Sequence, residues 1–188
     1  MIPPALDAAQ LPQLLDDLDQ STAELLGRVT DPAVWTHGSP NRWTVGQHVE
    51  HVARSLALAA EAFERAADAH ARGTMPKRPW RDPLQSVFVR VMTGARFPRG
   101  GRSPAAARPA KLPNRERSIY DVSEGARRYR ILVDRLTPGQ QEQIWIWNPY
   151  VPRFKWHYLL PEILRVQANH NRHHALLIDE ALATRART

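Results

Sequence analysis

Cysteine is absent from the 188 residues, which excludes disulfides, thiolate metal sites, iron-sulfur clusters and a cysteine nucleophile. Any thiol chemistry would need a thiol supplied from outside. Long apolar runs are missing as well. No uninterrupted stretch approaches the roughly 18 residues of a membrane span, and the first residues lack the basic patch, apolar run and small-residue cleavage site of a secretory signal. The expectation is a cytoplasmic protein with no membrane partner. Acidic side chains are scarce in one region only. From Arg72 to Arg117, twelve Lys or Arg stand against Asp82 and Glu116, a balance of +10 that leaves the rest of the chain at −3 out of a total of +7.

That basic segment also holds seven of the sixteen prolines and the runs Pro98-Arg99-Gly100-Gly101-Arg102-Ser103-Pro104 and Ala110-Lys111-Leu112-Pro113. Residues 72–117 are therefore expected to be a loop-rich insertion in one domain spanning 1–188, a length sufficient to bury a real core. Asp82-Pro83 has the form of a cap and first-turn proline, which predicts a short helix within the insertion as far as Gly94.

Elsewhere the apolar pattern is helical. Leu11, Leu14, Leu15, Leu18, Leu25 and Leu26 recur at three- and four-residue spacing and predict a helix ending near Arg28 before Asp31-Pro32. Val45, Val49, Val52, Leu56, Ala59 and Phe63 predict a second, to about Arg72. A third is expected from Asp121-Val122-Ser123-Glu124, which has capping-box spacing, to Thr137-Pro138-Gly139. Ile144-Trp145-Ile146-Trp147 alternates like a strand, but a lone strand has no ladder partner, so it reads as extended loop. The last helix is expected from Trp156 or Leu160 to Leu182, followed by a frayed tail. Four long amphipathic helices, each with one apolar stripe, point to an all-α four-helix bundle.

The chemistry-bearing pattern lies on the last helix, in Asn169-His170-Asn171-Arg172-His173-His174. Residues four apart on a helix face the same way. At 100° per residue, His170 and His174 lie within about 20° of the line through Ile163 and Ala181, whereas His173 lies about 80° off it. A single histidine on an apolar face is ordinarily a core residue bonded to a carbonyl. Two at this spacing, buried without a shared partner, would be costly, so a shared cation is the sharper reading. A third ligand would come from Trp43-Thr44-Val45-Gly46-Gln47-His48-Val49-Glu50-His51. The stripe through Val45 and Phe63 lies about 60° from His48 and about 120° from His51, so periodicity favours His48.

These two motifs, a helix entered as Trp43-Thr44-Val45-Gly46-Gln47 with His51 eight residues after the tryptophan, and a last helix carrying His170-x-x-x-His174, resemble the DinB-like metalloenzyme superfamily. The likeness covers most of the chain, including the Pro-rich stretch between the second and third long helices. It implies an up-down-down-up four-helix bundle, often a homodimer, with a divalent metal on His51, His170 and His174. His48 stays the alternative to His51. Neutral imidazoles suit zinc or nickel, with iron or copper also compatible.

Three protein ligands leave a coordination position open. The resemblance then implies a hydrolase, or a transferase joining an external low-molecular-weight thiol to a small electrophilic substrate in detoxification. No general base is evident: Glu50 is expected to point away, Asp179 and Glu180 to be solvated, and Gln47, Gln167, Asn169 and Asn171 to be partners of the ligands or else ordinary surface residues. The alternative is a bundle that binds a metal or small ligand without catalysis. Nucleic-acid association through the basic segment ranks last, because no reading helix is recognisable and Trp80, Phe88 and Phe97 are spaced for packing. A substrate pocket roofed by Trp80, Trp145, Trp147 or Tyr150 is expected if the protein is an enzyme.

Overall fold

The computed structural model describes residues 6–38, 42–94, 97, 98 and 103–185. Part of the expected loop between Pro98 and Pro104, and the expected tail beyond Arg185, lie outside them. The chain is predominantly helical: α1 (Leu11–Gly27), α2 (Val45–Ala71), α3 (Pro83–Thr93), α4 (Arg115–Asp134), α5 (Pro138–Gln143) and α6 (Leu160–Arg185), with two short strands, β1 (Trp145–Trp147) and β2 (His157–Leu159), between α5 and α6. Among the described residues, no helix is long and apolar enough to cross a membrane.

The helix starts follow local chemistry. Thr44 and Gln47 form a reciprocal cap at the head of α2: the Gln47 amide donates to Thr44 Oγ1, and the Thr44 amide to Gln47 Oε1. Asp82 caps α3 through the Gln85 amide, with Pro83 in the first turn as expected. The third long helix starts earlier than its sequence suggested. Asn114 Oδ1 accepts from the Arg117 amide and opens α4 at Arg115, directly after Pro113. Asp121 lies inside α4, where it pairs with Arg117 one turn before it, so the capping-box spacing at Asp121–Glu124 marks no helix start.

Four long helices share one core. α1 packs on α6 and α4, and α2 on α4 and α6. Cross-helix pairs fix their directions. His48 meets His174, His51 meets His170 and Gln167 meets Ser55, so α2 and α6 are antiparallel. Asp17 bonds Arg172, Thr22 bonds Asn171 and Arg28 bonds Asp179, so α1 and α6 run the same way. Glu64 with Arg128 and Asp68 with Arg135 set α2 and α4 parallel. Two glycines permit close approach. A Cβ on Gly125 would lie 2.8 Å from Leu56 Cβ where α4 crosses α2, and one on Gly46 would lie 2.5 Å from the Trp35 indole. Trp35 fills that gap and donates its Nε1–H to the Pro113 carbonyl, which joins the head of α2 to the lead into α4.

The sequence Ile144–Trp147, expected as loop for want of a partner, has one. Trp145 pairs with Leu159 and Trp147 with His157 in an antiparallel ladder. A buried network ties this hairpin to α3 and α6. Arg81 makes two bonds to the Glu162 carboxylate, at 2.6 and 2.8 Å, and the His157 carbonyl accepts from both Arg81 and Gln85. Glu162 also accepts from the Leu159 amide at the start of α6.

The second half of the basic segment, expected as part of a loop-rich insertion, is docked onto α2. Gln47 donates to the carbonyls of Ala110 and Lys111, Glu50 accepts from the Ala110 amide, and Ala107 is fully buried.

Candidate metal centre

His51, His170 and His174 come together in the core, each with one imidazole nitrogen in a common group whose members lie within 4.8 Å of one another. The antiparallel crossing of α2 and α6 makes this contact, and the four-residue spacing on α6 supplies two of the rings. Nε2 of His170 lies 3.1 Å from Nε2 of His51 and 3.1 Å from Nε2 of His174. Nitrogens about 2.0–2.1 Å from a tetrahedral cation sit about 3.4 Å apart, close to the two separations of 3.1 Å from His170.

The far nitrogens decide which face of each ring is bare. His51 Nδ1 lies 2.7 Å from the Ala107 carbonyl oxygen, which can only accept. The proton is therefore on Nδ1, and Nε2 presents its lone pair. His174 Nδ1 lies 2.9 Å from His48 Nδ1, so His48 can take the proton of His174 and leave that Nε2 bare too. His170 Nδ1 is buried with no hydrogen-bond partner among the described residues, and the Phe97 ring lies 5.2 Å from its own. A proton on His170 Nε2 would serve one of its two neighbours at most, whereas a cation accepts all three lone pairs. The residues present fit a three-histidine cation site on these grounds.

Electrostatics favours the same state. Burial pushes His48 down to about 4, with the His51 and His173 rings adding to the effect. Burial lowers His51 as well, against the Ala107 carbonyl, which raises it. His170 and His174 are held well below the ordinary histidine range by burial first and by the neighbouring imidazoles second. All four rings are neutral near pH 7, the form that binds metal. The Trp43 ring covers the group, with its centroid 4.9 Å from that of His51 and nearly parallel to His174 at 6.3 Å.

The placement of the other expected residues is mixed. His48 stands outside the convergent group, bonded to the far side of His174. His173 lies beside it, its ring 5.4 Å from Phe97. None of the four amides expected beside the ligands bonds to them: Gln47 caps α2, Asn169 bonds the Met92 and Gly94 carbonyls, Asn171 bonds Ser21 and Thr22, and Gln167 bonds the Tyr150 hydroxyl and the Ser55 carbonyl. Glu50 is turned to Arg54 and Ala110, as expected. Asp179 and Glu180 are exposed, as expected; Asp179 pairs with Arg28 at the surface, and Glu180 is among the residues lining a cavity. The sequence reading missed the Ala107 carbonyl and Ser103 Oγ, the latter 3.3 Å from His51 Nδ1. No side-chain pattern signals a backbone carbonyl partner.

A cavity of about 640 Å³ opens beside the three histidines. Tyr150 and Trp43 line it. Trp80, Trp145 and Trp147 do not: Trp80 is largely exposed, and Trp145 and Trp147 pack edge-to-face against each other and His157 on the hairpin. Among the described residues no carboxylate or fourth histidine joins the group of three, and Glu180 is the one carboxylate lining the cavity. Comparison with known proteins finds no matching family model, no matching curated protein and no matching solved structure, so the chemistry of the site rests on its own residues.

Proposed function

We propose that this chain is a divalent-metal-dependent enzyme of the DinB-like kind, an up-down-down-up four-helix bundle in which His51, His170 and His174 hold the ion. The observation that carries the reading is the convergence of three neutral imidazole nitrogens, without a fourth protein donor among the described residues, on the wall of a small-molecule-sized cavity. The helix directions support the bundle: α1 and α6 run one way, α2 and α4 the other.

A cation on three neutral ligands keeps its full charge and, when bound, supplies acidification of water or of an external thiol toward neutral pH. The chain's own residues orient and enclose. The Ala107 carbonyl fixes the tautomer of His51, and His48 fixes that of His174. Trp43 shields the rings from water on one side. Tyr150 stays protonated because burial raises its hydroxyl, which donates to the Ser55 carbonyl and accepts from Gln167. Glu180 is the carboxylate among the described residues lining the cavity. This arrangement suits hydrolysis or transfer of a low-molecular-weight thiol to a small electrophile, with zinc or nickel as the resident ion. The open cavity favours it over a purely structural metal site, which would close with a fourth protein ligand.

Metal analysis of protein purified without added metal tests the reading. About one zinc or nickel per chain is expected, lost in both His170→Ala and His51→Ala. Retention of full metal in either variant overturns the assignment. Activity is then sought with ester and electrophile panels, each with and without a thiol cosubstrate. Homodimerisation, implied by the resemblance, is measured by light scattering on the same samples.

A further inference from the structure

The lining of the cavity is divided by chemistry. One end is the histidine group under Trp43. The body is apolar, built by Phe88, Val91 and Met92 of α3, by Phe97, and by Leu177 of α6. On the remaining wall, Tyr150 and Asn148 already have partners. The Tyr150 hydroxyl donates to the Ser55 carbonyl at 2.8 Å and accepts from Gln167 at 2.6 Å, and Asn148 Oδ1 accepts from the amides of Tyr150 and Val151 at 2.8 and 3.1 Å. These groups do not require a polar ligand.

One polar group is different. Tyr158 lines the same cavity, is 1% exposed, and its hydroxyl has no hydrogen-bond partner among the described residues. A buried phenol ordinarily finds an acceptor or donor. Its ring is fixed by the β1–β2 ladder opposite Ile146 and by Phe88, 6.5 Å away between centroids, so it cannot turn to solvent without disturbing the hairpin.

We propose that the cavity takes a predominantly apolar organic substrate of small-molecule size, whose hydrocarbon or aromatic body lies between α3 and α6 and whose single acceptor oxygen receives the Tyr158 hydroxyl. The inference rests on the metalloenzyme reading only in making this the substrate site. Binding itself depends on the apolar walls. A substrate charged where it meets Phe88, Val91, Met92, Phe97 and Leu177 is disfavoured, because these carbon surfaces replace water there without a counter-charge; among the described residues, the charged side chains of the lining are Arg42 and Glu180.

The test is a homologous series of alkyl phenyl ketones, from acetophenone to octanophenone, with the matching alkylbenzenes as acceptor-free controls. Both are titrated calorimetrically into zinc-loaded and chelator-treated protein. Each added methylene is expected to tighten binding about fourfold until the chain outgrows the cavity, and the ketones are expected to bind more tightly than the alkylbenzenes. Tyr158→Phe should remove about threefold to tenfold of ketone affinity and leave the alkylbenzenes unchanged. Met92→Asp and Leu177→Asp, each checked for native helicity, should weaken both series at least tenfold. Affinity independent of chain length, or a ketone advantage that survives Tyr158→Phe, overturns the proposal. A chain-length gradient in protein that binds no metal overturns the metalloenzyme reading and leaves this one standing. Bound metal without a gradient does the reverse.

Discussion

His48 and His51 have the same chemistry and almost the same burial, yet the structure separates their positions. His51 turns Nε2 into the group of three, while His48 meets the outer nitrogen of His174. Different losses should follow. On the proposed assignment, His51→Ala removes a ligand of the ion, whereas His48→Ala removes only the group that orients one, so metal affinity should fall about 10–100-fold in the second and far further in the first. Competition titration with a chromogenic chelator measures both, and equal losses would contradict the layering. His157 supplies a residue-scale test away from the site. Burial first, then the neighbouring Arg81, pushes it down to about 4, while Glu162 opposes them. Its folded value lies below its unfolded value near 6.5, so the unfolded chain binds more protons between those limits and stability falls as pH drops from 6.5 toward 4. Urea midpoints should decline over that window and decline less in His157→Gln. An identical slope in the two proteins would exclude His157 as a source.

The helices are held by devices of different kinds. α2 begins at a reciprocal Thr44–Gln47 cap and at a glycine against which Trp35 lies, and α4 approaches α2 through Gly125. Gly125→Ala should cost about 1–3 kcal/mol, because its added carbon meets the Leu56 Cβ, which is held by the α2 backbone. Chemical denaturation reads this directly. A stabilised variant, as expected of Gly→Ala in an open helix, would show that the helices separate freely. At the hairpin, Arg81→Ala leaves the Glu162 carboxylate with the Leu159 amide but without its counter-ion, an expected loss of about 3 kcal/mol. The β1–β2 pairing escaped sequence reading for a physical reason. A three-residue strand is recognised by its partner, and His157–Leu159 has no alternation of its own, being followed at once by helix. The start of α4 escaped because Asp121-x-x-Glu124 satisfies a capping rule that local sequence cannot distinguish from ordinary helix-surface charge.

At the scale of the whole molecule, the proposed ion joins α2 to α6, two helices 119 residues apart at the His51–His170 contact. An ion bound only by the folded chain stabilises it by about 4 kcal/mol at a thousandfold excess over its dissociation constant, or about 10 °C in melting temperature for a chain of this size. Differential scanning fluorimetry with and without chelator should show that shift, and His170→Ala should abolish it. An unchanged melting temperature on stripping would contradict a core site. The basic segment also belongs to this scale. Expected as a loop-rich insertion, it docks Ala107 and Ala110 on α2, and the Ala107 carbonyl orients His51.

The sequence alone determined the helices with long periodic stripes, the absence of any thiol ligand, and the shared direction of His170 and His174, because each depends on neighbours within a turn or two along the chain. It left the third histidine ambiguous. α2 buries faces toward both α4 and α6, so a single stripe through Val45 and Phe63 points between them and underrates His51. Only tertiary structure decided which α2 imidazole joins His170 and His174 in the group of three, which carbonyl fixes its tautomer, and that a largely apolar cavity adjoins the group. Those facts belong to surfaces brought together by folding, and no local spacing encodes the distance between them.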